Sequence, residues 1–142
     1  MRKILLMLFI TMASAQTYAQ NQYLKNGVAV QGYDVVAYFE SNKPIQGNSE
    51  IKTEYNKATY FFSSEKNKEI FLKNPEKYAP QFGGYCAYGV SENHTSPTDP
   101  QAFTIVDDKL YLNYNLKVKE LWSKDREERI VKANQNWENL KK

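Results

Sequence analysis

Cys86 is the side chain with the clearest chemical potential, because it is the only thiol in the 142-residue chain. A thiol can act as a nucleophile or a redox centre when its pKa is lowered. Cys86 follows Gly83-Gly84, which permits the positive φ angles of a sharp turn. Phe82, Tyr85 and Tyr88 lie close to it in the sequence and predict an aromatic collar around the thiol. These four side chains are the predicted ligand-binding site.

Catalysis by Cys86 would require a partner that activates the thiol. His94 is the only histidine and therefore the only imidazole base. No second cysteine is present to form a dithiol couple, and the sequence identifies no residue that would orient His94. The alternative is a buried, inert thiol, since free cysteine is among the residue types most often found in protein cores. The sequence leaves an enzymatic function open but favours a noncatalytic protein.

A capped helix and two prolines must position the thiol stretch. Ser63 or Ser64 is predicted to cap a helix that ends at Asn74-Pro75, because proline cannot continue a helix. One more helical turn is predicted before Pro80, and the bend at Gly83-Gly84 follows it directly.

Two β-hairpins are predicted from alternating apolar and polar residues. The first joins residues 51–55 to residues 58–62, and the second joins residues 102–106 to residues 110–114. The side chains expected to share the buried face of the second hairpin are Leu110, Leu112 and Tyr114.

Further helices are predicted at both ends of the domain. Asp34 is expected to cap a short helix at residues 35–39. Asn115 is expected to cap another that runs to Trp122, and apolar residues recur at helical spacing over residues 130–140. Two antiparallel hairpins packed with short helices predict a compact α+β fold.

The start of the chain is typical of a secretory signal peptide. Residues 1–19 combine a short basic region, a brief apolar run and small residues at which cleavage could follow Ala15 or Ala19. The apolar run is far shorter than the ~20 residues of a spanning helix. We therefore expect a periplasmic or secreted protein with no transmembrane segment after cleavage, whose residues 20–142 form one domain with its core at residues 28–140.

The net charge argues against a nucleic-acid partner. Loss of Arg2 and Lys3 with the leader leaves 17 of the 19 basic residues against 16 acidic ones, a net charge of about +1. The lysines near the C-terminus alternate with acidic residues rather than forming a basic block.

Three blocks of the sequence stand out: GYDVVAYF at residues 32–39, FGGYCAYGV at residues 82–90 and AFTIVDDKLYLNYN at residues 102–115. In these blocks the chain resembles the exported bacterial YHS-domain proteins. YHS domains are similar to modules appended to copper-transporting ATPases and to some phenol hydroxylases. The resemblance implies a YHS-like fold and, from the paired cysteines of many members, a site for a metal such as copper.

This sequence departs from the paired-cysteine pattern. Cys86 supplies a single sulfur, whereas Cu(I) prefers several thiolate or thioether ligands. All three methionines lie in the predicted leader and would leave with it. A copper or other transition-metal ion at Cys86, with His94 as a second ligand, would need further ligands from a bound molecule or another chain.

Three functions are open at this point. The favoured one is a binding protein that holds a small molecule or a metal ion around Cys86. The second is a structural or partner-binding envelope protein in which Cys86 is buried, and a cysteine-dependent enzyme is the least favoured. The sequence does not identify the ligand, a protein partner or the oligomeric state.

Export predicts that the mature chain begins at Gln16 or Gln20. N-terminal sequencing of the protein recovered from the cell envelope checks this. Recovery of intact protein beginning with Met1 from the cytoplasm of the native host would contradict it.

Overall fold

The computed structural model describes residues 20–142, and the predicted signal peptide lies outside them. Short 3₁₀ turns at Val30–Gly32 and Gln81–Gly84 interrupt the regular elements. No helix in this part of the chain is long and apolar enough to span a membrane. In chain order the elements are β1 (Leu24–Lys25), β2 (Val28–Ala29), α1 (Val35–Glu40), β3 (Asn48–Tyr55), β4 (Ala58–Phe62), α2 (Glu65–Lys73), α3 (Pro75–Tyr78), α4 (Ala87–Ser91), β5 (Phe103–Val106), β6 (Lys109–Leu112), α5 (Leu116–Ser123) and α6 (Arg126–Leu140).

The strands form one mixed sheet in the order β1-β2-β4-β3 and a separate pair, β5-β6. β2 and β4 are parallel, whereas all other neighbours in these sheets are antiparallel. Both predicted hairpins are confirmed, with turns at Asn56-Lys57 and Asp107-Asp108. The four turn residues have φ angles between 49° and 64°, as in the type I′ turns whose twist matches that of paired strands. The predicted α+β class is confirmed.

Asp34 caps α1 as predicted, and it also ties α1 to the turn between β4 and α2. Its side chain is fully buried, and Oδ1 accepts hydrogen bonds from the N–H groups of Val36 and Ala37. Oδ2 accepts from the N–H and the hydroxyl of Ser63, at 2.8 and 2.6 Å, and from Nδ2 of Asn67 at 2.9 Å. These hydrogen bonds replace the hydration that the carboxylate loses on burial. Because they join α1 to the segment that follows β4, they fix α1 against the larger sheet.

The other predicted caps are present as well. Of the two candidate serines, Ser64 caps α2, where its hydroxyl accepts the N–H of Asn67 at 3.1 Å. Asn115 caps α5 by accepting the N–H of Val118 at 2.8 Å. Pro75 occupies the first turn of α3, the extra turn predicted between the two prolines.

Two hydrophobic cores share β6. The first is formed mainly by the larger sheet, α1 and α2, and it includes Leu110 and Leu112. The second lies among α4, α5 and α6 around Trp122, and it includes Tyr111. β6 therefore has a core on each of its faces.

The expected alternation of β6 is correct only in part. Leu110 and Leu112 are buried as predicted, but Tyr111 on the opposite face is also buried, and Tyr114 is 53% exposed. The strand ends at Leu112, so Tyr114 lies beyond it. Tyr111 is covered because its ring packs 5.5 Å from that of Trp122.

The position of Leu112 between the sheet and the helices predicts a large effect of truncation. Leu112→Ala should lower the free energy of unfolding by about 2–5 kcal/mol, because it removes a buried side chain and leaves a cavity. Leu116 is 60% exposed, so Leu116→Ala should cost less than about 0.5 kcal/mol. Urea denaturation measures both values, and equal losses would contradict this packing.

Candidate functional site

A backbone contact enforces the turn at residues 82–84, which we call the glycine turn. Phe82, Gly83 and Gly84 have φ angles of 57°, 61° and 85°, all in the left-handed region. A Cβ at Gly83 would lie 2.5 Å from the carbonyl oxygen of Asn21, so glycine is required there. The N–H of Tyr23 donates to the Gly83 carbonyl at 2.9 Å. The sharp turn predicted from the sequence thus holds the start of the domain in place.

Cys86 is 2% exposed, and its thiol is hydrogen-bonded on both sides. Its S–H donates to Oδ1 of Asn113 at 3.5 Å, and Sγ accepts the N–H of Tyr114 at 3.2 Å. Burial raises the pKa of the Cys86 thiol above its usual value, while backbone N–H groups, including that of Tyr114, act in the opposite direction. The thiol is therefore held in its neutral form, in the manner of a core side chain.

Asn113 organises the surroundings of the thiol, and the sequence interpretation missed it. Its fully buried side chain accepts the N–H of Tyr88 at 3.1 Å as well as the S–H of Cys86. It thereby connects the beginning of α4 to the end of β6. A single amide directly after the apolar run of β6 is the signal that could have identified it.

The two tyrosines that flank the thiol in sequence face different neighbours. The Tyr85 hydroxyl donates to Oδ1 of Asn21 at 2.7 Å and so binds the first segment of the domain. The Tyr88 ring lies beneath the guanidinium of Arg129 on α6, with 3.9 Å between the guanidinium carbon and the ring centroid. Both contacts join segments of the fold to one another.

The predicted metal ligands do not form a metal site. His94 lies in an exposed loop, where its ring packs on Gly89 and Nδ1 is 3.3 Å from the hydroxyl of Ser96. Within residues 20–142 there is no group of three or more His, Cys, Asp or Glu side chains that could hold a metal ion. A single neutral thiol that is already hydrogen-bonded on both sides is a poor ligand for Cu(I), which prefers several sulfur ligands. These residues do not fit a copper ion.

A cleft of about 320 Å³ lies where the two cores meet. Tyr55 and Tyr60 line it from the first core, and Phe82 and Trp137 line it from the second. The ring centroids are 6.3 Å apart in the first pair and 6.0 Å apart in the second. Of the predicted ligand-binding residues, Phe82 alone belongs to this lining in the described part of the chain.

Tyr60 is a deeply buried residue of the cleft lining. The residue is 3% exposed, and its ring packs 4.8 Å from that of Phe71. Its hydroxyl makes no hydrogen bond to another of the residues that the structure describes. Burial raises the pKa of Tyr60 well above its usual range, and the nearby Tyr55 adds to the effect. The Tyr60 hydroxyl is therefore neutral, and it is able to donate and to accept a hydrogen bond.

The rim of the cleft is polar. The Gln22 side chain bridges it, because Nε2 donates to the carbonyl oxygen of Asn56 at 2.7 Å. Glu76 contributes the one charged side chain among the described residues of the lining. The sequence interpretation did not identify the cleft, since its walls come from segments that are far apart in the chain.

Residues 36–82 match the model of the YHS domain family. The match begins in α1 and ends in the glycine turn, so it includes Tyr55, Tyr60 and Phe82 but stops before Cys86. No curated protein and no solved structure is significantly similar to the chain. The resemblance to the YHS domain is confirmed over these residues.

The surroundings of Cys86 predict slow reaction with alkylating agents. At pH 8 we expect iodoacetamide to modify Cys86 in the folded protein at least about tenfold more slowly than in urea, because burial and a raised pKa both reduce the accessible thiolate. Mass spectrometry over time measures the two rates. Equal rates would show that the thiol is exposed.

Proposed function

We propose that the chain, which contains a YHS domain at residues 36–82, is an exported, noncatalytic protein that binds a small organic molecule in the cleft between its two cores. The observation that carries the proposal is the cleft itself, where Tyr55 and Tyr60 of the first core meet Phe82 and Trp137 of the second. The basic and apolar start of the sequence supports export.

The form of the cleft supports a ligand. Its volume of about 320 Å³ lies at the lower end of the range of small-molecule sites. Four aromatic side chains give the cleft apolar walls, and the amides of Gln22, Asn56 and Gln81 supply polar groups of the kind that orient a ligand. A ligand that forms a hydrogen bond to Tyr60 would gain affinity as well as orientation.

The chemistry of the walls supports binding rather than catalysis. Glu76 is exposed, and the hydroxyl of Tyr60 is held neutral by burial. A nucleophile paired with a base is the usual sign of covalent catalysis. Cys86 and His94, the candidates for such a pair, do not line the cleft in the described part of the chain.

A structural or partner-binding role is the second candidate, and the burial of Cys86 is consistent with it. The thiol is 2% exposed and bonded to Asn113, as expected for a core residue. This burial is equally compatible with binding in the cleft, which does not use the thiol. The cleft with its four aromatic side chains offers a site for a ligand, so binding is preferred.

A native mass spectrum with elemental analysis of the protein purified from the cell envelope tests the proposal. We expect the mass spectrum to show up to one organic ligand molecule bound per chain. We expect the elemental analysis to show no stoichiometric copper. Tyr60→Phe should reduce the retained ligand severalfold, because one hydrogen bond contributes roughly 0.5–1.5 kcal/mol. Tyr114→Phe, at an exposed position outside the cleft, is the matched control and should retain the ligand.

Two outcomes would overturn the proposal. Protein that leaves its native envelope without any organic ligand would contradict small-molecule binding. Stoichiometric copper that survives Tyr60→Phe but is lost in Cys86→Ser would instead establish a thiolate metal site.

A further inference from the structure

We infer that the ligand of the cleft is a small organic cation, such as a quaternary or protonated amine. The inference rests on the proposed function and adds the chemical class of the ligand. It is carried by the charge and the aromatic content of the cleft.

The charge of the cleft favours a cation. Glu76 provides a carboxylate, and none of the described lining residues is a lysine, arginine or histidine. Glu76 also makes no ion pair within residues 20–142, so its charge is not neutralised by a neighbouring side chain there. An anionic ligand would find no compensating charge among these walls.

The aromatic walls favour an organic cation over a metal ion. Tyr55, Tyr60, Phe82 and Trp137 surround the cleft from two sides. Aromatic rings attract cations within about 6 Å of the ring centroid, and this attraction is the basis for recognition of quaternary ammonium groups. A metal ion would need several oxygen, nitrogen or sulfur ligands, whereas ring faces supply none.

The remaining polar groups suit a ligand that carries a hydroxyl or an N–H group beside its charge. The neutral Tyr60 hydroxyl can accept from such a group or donate to it. The amides of Gln22 and Gln81 lie in the same lining. These groups are uncharged, so they orient a ligand without changing the preference for a cation.

Choline and its uncharged isostere 3,3-dimethylbutan-1-ol separate the contribution of charge from that of shape. Benzoate serves as an anionic probe. The three compounds are titrated separately into the ¹⁵N-labelled, dialysed protein. The readout is the indole N–H signal of Trp137 in the lining, and the fully buried Trp122 serves as the internal reference. We expect choline to shift the Trp137 signal in a saturable manner and to bind at least about tenfold more tightly than the isostere.

Glu76→Gln removes the charge with little change of shape. It should weaken choline binding about fivefold and leave binding of the isostere unchanged. Glu69→Gln is the matched control, because Glu69 is also exposed and lies on α2, outside the described lining. It makes the same change in net charge and should leave choline binding as it is.

The outcomes distinguish this inference from the proposed function. If the isostere or benzoate binds as tightly as choline, or if Glu76→Gln has no effect on choline, the ligand is not a cation but the cleft remains a small-molecule site. If none of the three probes shifts the Trp137 signal, the inference is overturned, and the mass spectrum of the purified protein decides separately whether the cleft holds another kind of molecule.

Discussion

The close approach of Gly83 to the carbonyl oxygen of Asn21 is the constraint on which the site depends. A Cβ at residue 83 would lie 2.5 Å from that oxygen, so a larger residue would displace the first segment of the domain. The same segment is held from its other side by α6, because Asn21 bonds to the carbonyl groups of Leu140 and Lys141. Residues 20–23 therefore join the end of the YHS match to the last helix.

The cleft follows from the division of the molecule into two cores. β6 is shared by both, with Leu110 and Leu112 in the first and Tyr111 in the second. Protein interiors are packed about as densely as organic crystals. The cleft of about 320 Å³ lies open at the surface where Tyr60 of one core meets Phe82 of the other. The space that we propose for a ligand arises at this junction.

The elements of the fold could be predicted where their causes are local. The hairpin turns and the caps at Asp34 and Asn115 depend on residues within a few positions of one another. The site could not be predicted in the same way. The partner of Cys86 is Asn113, 27 residues further along the chain, and Trp137 of α6 lines the same cleft as Tyr55 and Tyr60 of the first hairpin. Contacts between residues that are so far apart in the chain leave no periodic pattern in the sequence.

A single thiol is at risk in the oxidising compartment that export implies, because an exposed thiolate oxidises or forms mixed disulfides. Cys86 is protected by the same contacts that exclude it from ligand chemistry. Its S–H is donated to Asn113, its sulfur accepts the N–H of Tyr114, and burial raises its pKa. Since these contacts stabilise the neutral thiol, they oppose oxidation, nucleophilic attack and metal ligation together. Under the proposed function, these contacts let the chain carry its cysteine through export while the ligand is recognised in the cleft formed by the two cores.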